Sequence, residues 1–124
     1  MKLNKEQLLD LLCTSTYGSN WLEIKTLKSE RHLDGDMEFD CYEDRWVSRL
    51  LNGGSIVCLD WYAAEDNEDG KPDRIVLKME GIIKGVEIAL EQYPMNVGRF
   101  LAGQGDYYDA NNIIQCAMFG ELVY

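Results

Sequence analysis

The stretch that most constrains this chain is Ser55–Tyr62, eight residues rich in β-branched and aromatic side chains. In a strand, successive side chains point to opposite faces. Val57, Leu59 and Trp61 then share one face and Ile56, Cys58 and Tyr62 the other, with Asp60 the one polar break. A strand that is apolar on both sides needs cover on both, which places it inside a sheet. A polar loop from about Ala63 to Asp73 separates it from a second strand, Arg74–Lys78. Antiparallel pairing of the two gives a central hairpin.

Elsewhere the hydrophobic period is that of a helix. Met79, Ile82, Ile83, Val86, Leu90 and Tyr93 form the cleanest stripe, and Pro94 closes it. Gly81 and Gly85 lie on that helix, where each glycine costs about 1 kcal/mol relative to alanine. They point to a close backbone approach by a neighbour or to loose packing. A short helical turn carries Met95, Val97, Phe100 and Leu101, and Gly103 to Gly105 break it. Asp106 or Asp109 caps a last helix with Ala110, Ile113, Ile114, Ala117 and Met118 on one face. Gly120 stops it, and Leu122-Val123-Tyr124 reads as a final short strand.

The first half follows the same rules. Asn4 with Gln7 is a capping box for a helix from about Lys5 to Thr14, which Thr14-Ser15-Thr16 and Gly18 weaken. Leu22, Ile24 and Thr26 alternate as in a short strand. Ser29–Phe39, with Asp34-Gly35-Asp36 inside it, reads as a long loop. Asp40 and Glu43 repeat the capping pattern ahead of the stripe Tyr42, Trp46, Val47, Leu50 and Leu51. Asn52-Gly53-Gly54 ends that helix, because glycine takes the left-handed C-cap conformation without a Cβ clash. The expectation is an α+β fold: four or five helices packed around a small antiparallel sheet. It forms one domain over residues 1–124, with no repeat, linker or low-complexity tract.

No run approaches the roughly 20 apolar residues that span a bilayer. Met1–Leu12 mixes charges with leucines as a helix does, not as a signal peptide. These features point to a soluble, cytoplasmic protein without a membrane partner. With 22 acidic against 12 basic residues the formal net charge is −10. A field of that sign repels nucleic acid and attracts basic protein surfaces. The four cysteines, Cys13, Cys41, Cys58 and Cys116, form no C-x-x-C pair, so neither a zinc knuckle nor a dithiol site is signalled. Free thiols in a reducing compartment are the expectation.

Catalytic and metal motifs fare poorly. His32 is the sole histidine, sits among charges and has no nucleophile motif beside it. Glu65-Asp66-Asn67-Glu68-Asp69-Gly70 resembles the start of a calcium loop, but the bidentate twelfth position falls on Val76. The glycines at 53–54, 81–85 and 103–105 build no phosphate-binding pattern. The expectation is a non-enzymatic chain with neither cofactor nor metal.

Two acidic clusters stand out. Asp34, Asp36, Glu38, Asp40, Glu43 and Asp44 form one, and Glu65, Asp66, Glu68, Asp69 and Asp73 the other. Together they hold half of the acidic residues. On one face they would imitate the phosphate row of a nucleic acid and attract a basic partner. Tyr17, Trp21, Tyr107 and Tyr108 lie beside turns, where amphipathic rings often line contact surfaces. Trp46 and Trp61 read instead as core. The candidate contact surface is therefore Tyr17, Trp21, Tyr107 and Tyr108 with Asp34, Asp36, Glu38, Glu65, Asp66, Glu68 and Asp69.

Three stretches also carry a resemblance: Leu51-Asn52-Gly53-Gly54-Ser55-Ile56, Met79-Glu80-Gly81-Ile82-Ile83-Lys84-Gly85, and Asp106 through Phe119-Gly120-Glu121-Leu122-Val123-Tyr124. With the turn Tyr17–Trp21, they are similar to a group of small acidic proteins encoded by bacteriophages, prophages and mobile elements of Gram-positive and gut bacteria. Lys78 departs from that group, which places threonine ahead of the helix. The resemblance implies an accessory protein in a bacterial cytoplasm that binds and blocks a host or defence protein with a basic surface, an anti-defence inhibitor. It supplies no functional residue. The alternative is a small-molecule or nucleotide-signal binding module, which would need local positive charge. Lys25, Lys28 and Arg31 are the main candidates. A homo-oligomer is compatible with either.

Overall fold

In the computed structural model, which describes residues Met1–Tyr124, the elements run in the order α1 (Lys5–Tyr17), β1 (Leu22–Lys25), α2 (Tyr42–Leu51), β2 (Ser55–Asp60), β3 (Asp73–Lys78), α3 (Met79–Gln92), α4 (Pro94–Leu101) and α5 (Tyr107–Phe119). Two 3-10 segments, Lys28–Asp34 and Ala63–Glu65, sit in the connections. This is the expected α+β class, and β2 and β3 pair antiparallel as a hairpin. No helix is long and apolar enough to cross a membrane. The chain forms two compact units, residues 19–79 and residues 1–18 with 80–124.

The 19–79 unit holds the sheet, in the order β1-β2-β3 and antiparallel throughout. β2 is central, as its double apolar face requires, and Ile56, Val57 and Cys58 are all buried. Leu22 pairs with Asp60 and Lys25 with Val57 across one ladder, and Ser55 pairs with Lys78 across the other. α2 packs on β2 through Trp46, Val47 and Leu50. Asp60, the polar break, is buried at the strand's end and accepts from the N–H groups of Tyr62 (3.1 Å) and Ala63 (3.4 Å). Its carboxylate turns the chain, so the strand stops there. Trp61 is consequently not core: it is 44% exposed, and its indole N–H donates to Glu23.

Two local expectations are corrected in this unit. The Ser29–Phe39 loop is largely a 3-10 helix, tied down by partners distant in sequence. Glu30 accepts from the backbone N–H and hydroxyl of Ser55, and Asp34 is gripped by Arg49. Asp40 does not cap α2. Cys41 is the N-cap residue, and its thiol donates to Asp44 at 3.1 Å.

In the other unit α1 contacts α5 and α4, and α4 packs on α5. The expected capping box of Asn4 with Gln7 forms, and of the two candidate caps of α5 Asp106 is the N-cap residue, in a box with Asp109. α1 outruns its expected end because Thr14-Ser15-Thr16 are satisfied within the helix. Thr14 donates to Asp10, and the hydroxyls of Ser15 and Thr16 donate to the Leu12 carbonyl. Gly85 answers the question of the glycine pair: a Cβ there would lie 2.5 Å from that of Ala117, so α3 and α5 touch backbone to backbone. Residues 122–124 are not a strand. The fully buried Gln115 takes the place of a strand neighbour, its Oε1 accepting from the N–H groups of Val123 and Tyr124, both at 2.8 Å.

Candidate functional site

The expected contact surface comes apart residue by residue. Asp34 is buried and forms a two-pronged pair with Arg49, at 2.6 Å to Nε and 3.0 Å to Nη2. Arg49 holds its carboxyl below the ordinary value, against the opposing effect of burial. Asp34 thus leaves the exposed acidic set. Trp21 leaves the aromatic set: it is buried, with its ring stacked 6.3 Å from that of Tyr62.

Asp36, Glu38, Glu65, Asp66, Glu68 and Asp69 are exposed. Asp36 and Glu38 lie in the connection between Asp34 and α2, whereas Glu65–Asp69 lie in the connection between Asp60 and Asp73. Tyr17 is 96% exposed at the end of α1, and Tyr108 is 71% exposed. Tyr107 packs against Gly18 and meets Tyr108 edge-on at 5.7 Å. Tyr17, Tyr107 and Tyr108 thus stay near one another at the start of α5, in the unit that lacks the acidic loops.

What the 19–79 unit does gather is positive charge. Glu23, Lys25, Lys28, Arg31, Tyr42, Arg45 and Trp46 line a groove of about 460 Å³ between β1, the 3-10 segment and α2. Four cationic side chains face one carboxylate, Glu23, which is engaged by the Trp61 indole at 3.1 Å. Lys25 alternates outward from the buried Ile24 because the strand period demands it. Lys28 and Arg31 are three apart on the 3-10 segment, where such residues stack on one side. Arg45 lies over the Phe39 ring at 5.3 Å, with Nε 3.5 Å from Asp34. That nitrogen is shielded from water and makes no hydrogen bond.

Sequence reasoning named Lys25, Lys28 and Arg31 but missed Arg45 and Tyr42. The signal was present. Tyr42, Arg45, Trp46 and Arg49 fall at i, i+3, i+4 and i+7, a cationic and aromatic face of one helix. A neighbouring groove of about 410 Å³ shares Tyr42 and Arg45 and adds Phe39, Asp40, Cys41 and Glu43.

Three of the four thiols sit in settings that favour the protonated form. Burial pushes Cys58 up to about 12 and also raises Cys116, and the hydrogen bond to Asp44 raises Cys41. His32 is exposed and lines none of the described grooves. No group of three or more histidine, cysteine or carboxylate side chains has the arrangement to hold a metal. No protein-family model, curated protein or solved structure matches the chain.

Proposed function

We propose that this chain is a non-enzymatic binding module whose groove at β1, the 3-10 segment and α2 takes a small anionic ligand. The observation that carries the reading is the local reversal of charge. A chain of net charge −10 collects Lys25, Lys28, Arg31 and Arg45 around one concave site. Exposed pairs of single charges contribute little, about 0–1 kcal/mol each. A multivalent anion that meets several cations at once gains several such contacts for one loss of translational freedom. Trp46 and Tyr42 add apolar walls, the usual lining of a ligand site. The site is then a receptor or sequestering pocket for an anionic signal in a bacterial cytoplasm.

Thermal shift and calorimetry of the full chain with pyrophosphate, at low salt, test this. A rise of several degrees and saturable heat are expected, because a ligand that binds only the folded state stabilises it by mass action. Lys28→Glu with Arg31→Glu should weaken binding at least tenfold. Saturable binding by no multivalent anion would sink the reading.

The phage and mobile-element likeness supports a second reading, capture of a host or defence protein with a basic surface. The observation favouring it is that Asp36, Glu38, Glu65, Asp66, Glu68 and Asp69 are exposed and none is engaged in an ion pair. The burial of Asp34 and Trp21, two members of the expected contact surface, makes it the weaker of the two.

A further inference from the structure

We infer that the anionic ligand is a guanine nucleotide, held across the two adjoining grooves with its phosphate in the basic one and its base in the other. This rests on the anion-binding reading above and specifies the ligand's class. The two grooves differ in chemistry yet share Tyr42 and Arg45. The first offers Lys25, Lys28, Arg31 and Arg45, which suit phosphate. The second offers the Phe39 and Tyr42 rings with the Asp40 and Glu43 carboxylates. An anion has no reason to enter it. A planar group that presents hydrogen-bond donors does.

Among nucleobases, guanine presents two adjacent donors, N1–H and the 2-amino group, on one edge. A carboxylate accepts both at once, since its two oxygens offer only lone pairs. Adenine turns an acceptor nitrogen toward the same place and meets repulsion, so the carboxylates reject as well as select. Tyr42 is 75% exposed, free on a helix surface to lie against a base. Arg45 is fixed between the grooves by the Phe39 ring and by Asp34, whose carboxylate lies 3.5 Å from its Nε.

The test is calorimetry of the full chain at one salt concentration with GMP, IMP, AMP and pyrophosphate. GMP should bind at least tenfold tighter than AMP. IMP, which lacks the 2-amino group, should fall between them. Asp40→Asn with Glu43→Gln should abolish the difference between GMP and AMP while pyrophosphate binds at least as well as before. Tyr42→Ala should weaken GMP by a larger factor than it weakens pyrophosphate. Equal affinity for GMP and AMP, with pyrophosphate still bound, would overturn this inference and leave the anion site standing. Failure of all four ligands would overturn both.

Discussion

Asp34 reads in the sequence as one more acid in the turn Asp34-Gly35-Asp36. Its fate is decided by Arg49, fifteen positions away, which takes both its oxygens in a buried pair. No local pattern reveals such a partner, because a carboxylate in a turn and a carboxylate in a core are spelled alike. Removing one member of a buried pair leaves a charge without compensation, which costs about 3–5 kcal/mol. Arg45, 3.5 Å from Asp34, softens the loss. Arg49→Met is therefore expected to lower the stability by about 2–4 kcal/mol, read as a fall in the urea midpoint at constant slope. Adding Asp34→Leu should return part of it. Asp109 makes the parallel case in α5. Arg99, then Asn96 and the Asp106 amide, hold its carboxyl at about 2, below the ordinary 3.8. A depressed carboxyl stabilises the fold above its unfolded value and loses that contribution as pH falls through the folded one. The melting temperature should therefore drop between about pH 4 and pH 2, with the lowered Asp34 adding to the same slope. Asp109→Asn should flatten that drop while lowering stability at neutral pH.

At the scale of elements, what could be read depended on whether the decisive contact was local. The caps of α1 and α5 are written within four residues each: the Asn4–Gln7 box is found as spelled, and α5 is capped by Asp106, one of its two candidates. The 3-10 segment needs Ser55 for Glu30, and the C-terminal stretch needs Gln115, so neither was visible in its own letters. Gly85 stands between these cases: its oddity showed, its partner Ala117 did not. Gly85→Ala gains helix propensity of about 1 kcal/mol. It also drives a methyl to within 2.5 Å of the Ala117 Cβ. Overpacking of that kind costs about 1–3 kcal/mol, and contact with backbone atoms that cannot move aside puts it at the upper end, so a net loss of up to about 2 kcal/mol is expected on chemical denaturation. Ala117→Gly in the same chain should not restore it, because the Ala117 Cα and N lie 2.6 Å from the same point. Gln115→Leu keeps the volume and removes the acceptor of two N–H groups. Hydrogen exchange should then show the amides of Val123 and Tyr124 unprotected while the amides at the middle of β2 remain slow.

For the whole molecule the governing quantity is the mismatch between global and local charge. The basic groove was half legible, since Lys25, Lys28 and Arg31 fall in one short stretch. Arg45 arrives from another element, and only the fold brings it there. The Glu65–Asp69 loop leaves the sheet at the Asp60 end, whereas Lys28 and Arg31 lie beyond the other end. Six residues of strand set these apart by roughly 17 Å or more. The Debye length is about 8 Å at physiological salt and about 30 Å at 0.01 M. The loop should therefore oppose an incoming anion only when salt is scarce. Replacing Glu65, Asp66, Glu68 and Asp69 by their amides is expected to leave pyrophosphate affinity unchanged at 0.15 M salt. At 0.01 M the same variant should bind several-fold tighter than the parent and associate faster. An equal gain at both salt concentrations would mean that the loop touches the bound anion directly and would overturn the screening argument.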